Sequence, residues 1–127
     1  MSHHILVVED EPDINKTVSY NLANEGFHPV SALNLQEADA QLSSNNISLI
    51  ILDLMLPDGS GLDFCKTLKS SNIYKNIPII IVTAKGDEVD KVVGFELGAD
   101  DYVTKPFSVR ELMLRIKAIL KRNTQEG

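Results

Sequence analysis

The sequence predicts an α/β fold, a doubly wound parallel sheet of five strands with helices on both faces. Three short apolar runs, Ile5-Leu6-Val7-Val8, Leu49-Ile50-Ile51-Leu52 and Ile79-Ile80-Ile81-Val82, are rich in β-branched residues and lack the polar alternation of a strand with one wet face. They read as strands buried on both faces. Segments with helical spacing lie between them, and the two kinds of element alternate. Parallel neighbours need crossovers, crossovers are right-handed, and helices therefore cover both faces of the sheet.

Taken in order, the first strand leads to a helix for which Pro12 suits the first turn, with Ile14, Val18 and Leu22 on one face and Gly26 able to end it in a left-handed conformation. A weaker strand follows at about His28 to Ala32. Asn34 with Glu37 marks the next helix start. This is a capping-box pattern, in which each side chain can satisfy a free backbone donor of the other's residue. Ser60 with Asp63 repeats it after the third strand, and Ser108 with Glu111 repeats it again near the end of the chain. Gly86 and Asp87 open a fourth helix that closes at Gly98, and Asp101 to Thr104 forms a short fifth strand ending at Lys105-Pro106. In the last helix Val109, Leu112, Met113, Ile116, Ile119 and Leu120 fall on one stripe, with Arg110, Glu111, Arg115 and Arg122 off it, so it is amphipathic. There is no internal repeat or low-complexity tract. Residues 1–122 read as one folded domain and 123–127 as a tail or the start of a linker.

Composition narrows the function classes. With 12 Lys and Arg against 18 Asp and Glu the net charge is −6, and 43% of the 127 residues are hydrophobic, as in a single soluble domain. The pI of about 4.9 argues against a surface that grips nucleic acid. One cysteine, no charged-then-apolar leader and no apolar run near the roughly 20 residues of a membrane span lead to the expectation of a reducing cytoplasm and no membrane contact.

Ligands of a doubly wound sheet bind beyond the carboxyl ends of the strands, where strand order reverses. The residues after successive strands are Glu9-Asp10-Glu11, Asp53, Thr83-Ala84-Lys85 and Lys105-Pro106. Singly, each is an ordinary turn former, cap or solvated charge. Together they are harder to dismiss, because two carboxylates about 4 Å apart repel by roughly 4 kcal/mol at an effective dielectric of about 20. Mg²⁺ resolves the cluster, since it is a hard ion that prefers carboxylate and carbonyl oxygens and commonly works beside phosphoryl groups. The charges of Glu9, Asp10 and Asp53 are then closed by the metal and Lys105. A carboxylate so placed can itself attack phosphorus and form an acyl phosphate. The metal and Lys105 would stabilise the equatorial oxygens, and Thr83 would donate to one of them.

The ordered set ILVVEDE, IILDLMLPDGSG, IIIVTA, GADDYVTKPF and ELMLRI, spanning Ile5 to Arg122, resembles the receiver domains of two-component response regulators. That resemblance implies a flavodoxin-like strand order 2-1-3-4-5, with Asp53 as phosphoacceptor and Asp10 as a Mg²⁺ ligand with Glu9 as its acidic neighbour. It also implies a metal-binding backbone carbonyl from Met55, phosphoryl contacts from Thr83 and Lys105, and a cis peptide at Lys105-Pro106. Mn²⁺ is a possible substitute for Mg²⁺. Tyr102 taken alone reads as a half-buried strand tyrosine; by resemblance it is the switch aromatic that turns inward as the Thr83 hydroxyl moves toward the phosphoryl group. A histidine kinase is the implied donor, with Asn15, Thr17 and Tyr20 of the first helix as candidate contacts. The chemistry is the domain's own phosphorylation and dephosphorylation, with no other substrate; the phospho-Asp lifetime depends on how Met55 and Lys85 admit or shield water, and slow self-hydrolysis is expected.

A finer resemblance is to receivers of the winged-helix, OmpR/PhoB-like transcription factors. In that class the fourth helix, fifth strand and fifth helix form a two-fold dimer face with intersubunit ion pairs, for which the candidates are Lys91 with Glu111, Asp101 with Arg115 and Asp100 with Arg122. Such pairs are worth about 0 to 1 kcal/mol each when exposed, so apolar contact must add to them. Val92 with Leu112 or Ile116 could supply it, or could serve the chain's own core. DNA is expected as a partner only through a C-terminal winged-helix domain absent from this sequence; a stand-alone receiver or a pseudo-receiver acting by protein contact is the alternative. A haloacid-dehalogenase-type phosphatase needs a second Asp where Met55 stands, and an FMN carrier would be repelled by Glu9-Asp10-Glu11-Pro12-Asp13.

Overall fold

The computed structural model describes residues 3–84, 95, 96 and 98–126, with 123–126 described by backbone alone. The chain runs through β1 (His4–Val8), α1 (Pro12–Asn24), β2 (His28–Ala32), α2 (Leu35–Ser44), β3 (Ile47–Asp53), β4 (Met55–Leu56), β5 (Gly59–Ser60), α3 (Gly61–Lys69), β6 (Ile79–Thr83), β7 (Asp101–Thr104) and a C-terminal helix (Val109–Glu126). Five strands form one sheet in the order β2-β1-β3-β6-β7, every pair parallel. Counted over those five, this is the expected 2-1-3-4-5 order, with the reversal at β1 and β3.

Both faces of the sheet are dry, which is why the strand sequences do not alternate with polar residues. Leu6, Val8, Ile50, Leu52, Ile79, Ile81 and Tyr102 pack on one face with Ala38 and Leu42 of α2 and Cys65 and Leu68 of α3. Ile5, Val7, Leu49, Ile51, Ile80, Val82 and Val103 pack on the other with Val18 and Leu22 of α1 and the stripe Leu112, Met113, Ile116, Ile119 and Leu120. Leu112 and Ile116 are fully buried here, so they belong to the chain's own core and are withdrawn as dimer contacts. α1 begins at Pro12, and Gly26 beyond its end has φ +89°, as its place after the helix demands.

Several elements differ from the sequence expectation. Most of the segment expected to form the fourth helix, Gly86 to Gly98, lies outside the described residues, Lys91 and Val92 included, as does Lys85 before it; Phe95 and Glu96 are helical, and Gly98 has φ +98°. The β4–β5 hairpin was not anticipated, because two-residue strands carry no periodicity. The last helix continues to Glu126, past the boundary drawn at 122, since 123–126 contain no breaker and propagation adds a hydrogen bond per residue. The capping boxes are half-formed. Asn34, Ser60 and Ser108 each accept the expected backbone N–H, but Glu37 reaches the N–H of Leu33 and Glu111 pairs with Arg115.

Asp58, at the tip of the hairpin, completes the cap of α2. Its Oδ1 accepts from the Leu35 N–H at 2.8 Å and its Oδ2 from the Gln36 N–H at 3.0 Å, while Asn34 takes the Glu37 N–H. These hydrogen bonds hold the Asp58 carboxyl below the usual carboxylate range. Its folded pKa is thus depressed, so its contribution to stability is present above the unfolded value and is lost as pH falls through the folded one. Asp58→Ala is expected to lower the melting temperature at pH 7, with the gap from wild type closing as the pH drops below about 4. Melting curves of both proteins across that range check this; a gap independent of pH would contradict it.

Candidate functional site

The sheet's register builds the site. Val8 lies level with Leu52, so the residues just beyond them, Glu9 and Asp10 on one strand and Asp53 on the other, emerge together where strand order reverses. One carboxylate oxygen from each of Glu9, Asp10 and Asp53 falls within 4.8 Å of the others. Glu9 and Asp53 are each only 4% exposed, which makes their charges costly unless compensated.

Lys105 supplies part of the compensation. The turn after β7, with a cis Lys105-Pro106 peptide as expected, carries Nζ to 2.7 Å from Glu9 Oε1 and 2.9 Å from Asp53 Oδ2, with Glu11 at 3.7 Å. Burial works against the ammonium, but its hydrogen bonds to Glu9 and Asp53 outweigh that and hold its pKa above the ordinary lysine value. Glu9 goes the other way: burial, reinforced by the Asp53 charge and opposed by Lys105, pushes its carboxyl up to about 7. One ammonium therefore does not neutralise the cluster.

The remaining hydrogen bonds orient the carboxylates. Asp53 Oδ1 accepts the Met55 N–H at 3.0 Å, and Glu9 Oε2 accepts the Glu11 N–H at 3.0 Å. Thr83, fully buried at the end of β6, accepts the Lys105 N–H on its carbonyl at 2.8 Å, tying together the two residues expected to contact a phosphoryl group. The donor set suits a hard divalent cation, because three carboxylates converge with one ammonium among them and their oxygens outnumber the local positive charge. Glu9, Asp10 and Asp53 are the residues that would hold Mg²⁺, or Mn²⁺ in its place, with the Met55 carbonyl as the implied backbone ligand.

Two readings change. Asn15, expected on the kinase-facing surface, is 2% exposed. Its Nδ2 donates to the carbonyls of Glu9, Val7 and Ala32 at 3.0–3.3 Å, and its Oδ1 accepts from Ser31 and Ser19. It is an internal tie between α1 and the ends of β1 and β2, a role that its place next to Ile14 on the helix's inner side could have indicated. Tyr102 is 8% exposed, more deeply placed than a half-buried strand tyrosine, and its ring centroid lies 6.4 Å from that of Phe95.

Two of the three ion pairs expected between subunits have their partners within reach inside one chain. Arg115 holds Asp101 at 2.6 Å and Glu111 at 2.9 Å, and Arg122 lies 3.9 Å from Asp100. The cause is local, because the start of β7 lies beside the C-terminal helix. Asp100 is further engaged, accepting the Ile79 N–H at 2.9 Å and standing 3.8 Å from Lys69. The third candidate, Lys91, is outside the described residues.

Comparison with known proteins agrees with this geometry. Residues 5–117 match the family model described as the response regulator receiver domain. The phosphate regulon transcriptional regulatory protein PhoB of Escherichia coli is 49% identical over 122 residues, 96% of this chain and 53% of that protein. Its counterpart from Klebsiella pneumoniae is 50% identical over the same lengths. The chain thus spans about half the length of these relatives. Among solved structures, a CheY-like receiver domain protein of Methanospirillum hungatei superimposes with TM-score 0.93 at 27% identity over the whole of both chains. A receiver domain from Francisella does so with TM-score 0.89 at 33% identity, covering 96% of this chain and 99% of that one. No helix among the described residues is long and apolar enough to cross a membrane.

Proposed function

This chain belongs to the response regulator receiver domain family, and from that premise we propose that it is a phosphorylation-dependent switch that takes a phosphoryl group from a histidine kinase onto Asp53. The observation that carries the reading is the placement of Asp53, 4% exposed, with Lys105 Nζ at 2.9 Å on one oxygen and the Met55 N–H at 3.0 Å on the other. A carboxylate held in this way is oriented toward an incoming phosphorus and needs no general base. One of its oxygens attacks phosphorus of a phosphohistidine, the P–N bond breaks, and the imidazole leaves with that electron pair. Lys105 is placed to stabilise the equatorial oxygens, and Thr83 is the hydroxyl that approaches the new acyl phosphate. Bound Mg²⁺ supplies charge stabilisation of the same oxygens. This self-phosphorylation, and its reversal by water, is the only chemistry in the reading.

The kinase would dock beside the cleft. A groove of about 580 Å³ runs from Lys105 and Pro106 to Ile14 and Thr17 of α1, and Tyr20 stands 68% exposed on the same helix. The response would be read out on the face made by β7 and the C-terminal helix. Exposed apolar surface is offered by Phe95, 51% exposed with its ring 6.4 Å from that of Tyr102 in β7, and by Leu114 on the C-terminal helix, 57% exposed. Phosphorylation can act only by binding one state better, and Tyr102 beside Phe95 links the Thr83 end of the sheet to that face. If the ion pairs form between subunits, the intrachain Asp101–Arg115 and Asp100–Arg122 contacts must be exchanged for intersubunit ones. Such an exchange sets register more than affinity. By its similarity to PhoB, the output would be cytoplasmic control of transcription through a DNA-binding domain in the longer protein.

Sedimentation with beryllofluoride and Mg²⁺ tests the switch. The expected result is conversion of monomer to dimer that needs both additions. An unchanged monomer that binds beryllofluoride removes dimerisation from the reading; no metal-dependent beryllofluoride binding removes the acceptor chemistry with it.

A further inference from the structure

We propose that Asp58 is a positioning residue for the metal-binding side of the site, acting by clamping the β4–β5 hairpin to the first turn of α2. The inference rests on the reading of Asp53 as a metal-dependent phosphoacceptor. The hairpin begins two residues after Asp53 and carries Met55, whose N–H orients Asp53 Oδ1 at 3.0 Å and whose carbonyl is the implied backbone ligand. Its own stem is slight: Met55 lies opposite Ser60 and Leu56 opposite Gly59, and at its base the Gly61 N–H reaches the Leu54 carbonyl at 3.0 Å. A hairpin of that size is not stable alone in water.

The clamp is at the tip. Both Asp58 oxygens are engaged with the first two backbone donors of α2, at 2.8 and 3.0 Å, where the helix dipole favours a negative charge. The next residue, Gly59, approaches so closely that a Cβ there would lie 2.8 Å from Leu35 Cδ1. α2 is itself fixed to the sheet by the buried Ala38 and Leu42. The contacts therefore run without interruption from the sheet through α2 and Asp58 to the hairpin, Met55 and Asp53. Without the Asp58 carboxylate, the hairpin keeps its stem and its base at Leu54 and Gly61 but loses the hydrogen bonds that tie its tip to α2.

The test is Mg²⁺ affinity measured by calorimetry on the full chain, for wild type, Asp58→Ala, Asp58→Asn and Asn34→Ala, at a temperature where circular dichroism shows all four folded. Asp58→Ala is expected to weaken Mg²⁺ binding about 10-fold, as loss of an outer-shell partner does. Asp58→Asn removes the same charge but keeps one acceptor oxygen, and is expected to recover part of the loss. Asn34→Ala deletes the other cap of the same helix, so it is expected to lower the melting temperature while leaving Mg²⁺ affinity unchanged. Equal losses in Asp58→Ala and Asp58→Asn would mean that long-range charge is the cause, and an equal loss in Asn34→Ala that helix stability is. Either result overturns the proposal, as does no loss in Asp58→Ala. A wild type that binds no Mg²⁺ overturns the reading of the site and the clamp's role with it.

Discussion

Replacing Lys105 with methionine is expected to slow phosphoryl uptake at Asp53 about 10²–10³-fold, the effect of deleting one preorganised charge-stabilising donor. Methionine keeps much of the apolar stem but removes the ammonium that lies 2.7 Å from Glu9 and 2.9 Å from Asp53. The same substitution is expected to tighten Mg²⁺ binding, because Lys105 competes with the metal for those oxygens. Opposite signs for metal affinity and rate separate a residue that stabilises the transferring group from a counter-ion that merely keeps carboxylates apart. The measurement is the initial rate of phosphoryl uptake from acetyl phosphate at saturating Mg²⁺, with Mg²⁺ affinity measured in parallel. A rate within a few-fold of wild type would assign Lys105 to structure alone.

Gly61→Ala is expected to damage both stability and phosphorylation. A Cβ at Gly61 would lie 2.3 Å from the Asp53 carbonyl oxygen and 2.7 Å from Leu54 Cα. Both neighbours are backbone, so no side chain can turn aside, and the strand end that presents Asp53 has to move. Overpacking of this kind costs about 1–3 kcal/mol. Gly26→Ala is the matched control, with nothing within 4 Å of its added Cβ but φ +89°. It is expected to cost stability through backbone strain and to leave phosphorylation intact. Thermal melts and phosphorylation rates of the two variants check the pair; unimpaired phosphorylation in Gly61→Ala would show that the Asp53 turn tolerates displacement.

What the sequence shows of this molecule depends on whether the signal is periodic. The buried strands were legible because β-branched runs such as Ile79-Ile80-Ile81-Val82 need no partner to be recognised, and the last helix because its stripe repeats over three turns. Asp53, Glu9 and Asp10 could be brought together on paper, since the strand order that the resemblance implies places the ends of the first and third strands side by side. The hairpin after Asp53 could not, because its pairing is set by tertiary contact. Asp58 stood in a Pro-Asp-Gly turn whose composition shows the turn but not the helix it caps. Asn15 was misread for a related reason: a polar residue on α1 was assigned to the surface, although its amide serves carbonyls from two strands. The charge pairs of the dimer face rest on a charge pattern shared with a family, and such a pattern does not distinguish a partner in the same chain from one in a second copy.

The most direct test of the central claim is intact mass after incubation with acetyl phosphate and Mg²⁺, for wild type, for Asp53→Asn, and for wild type with EDTA. The expected result is one phosphoryl adduct on the wild type, absent from the folded Asp53→Asn protein and absent when the metal is chelated. An adduct that persists in Asp53→Asn or in EDTA, or a folded, Mg²⁺-loaded wild type that gains none, would contradict the assignment of Asp53 as a metal-dependent phosphoacceptor.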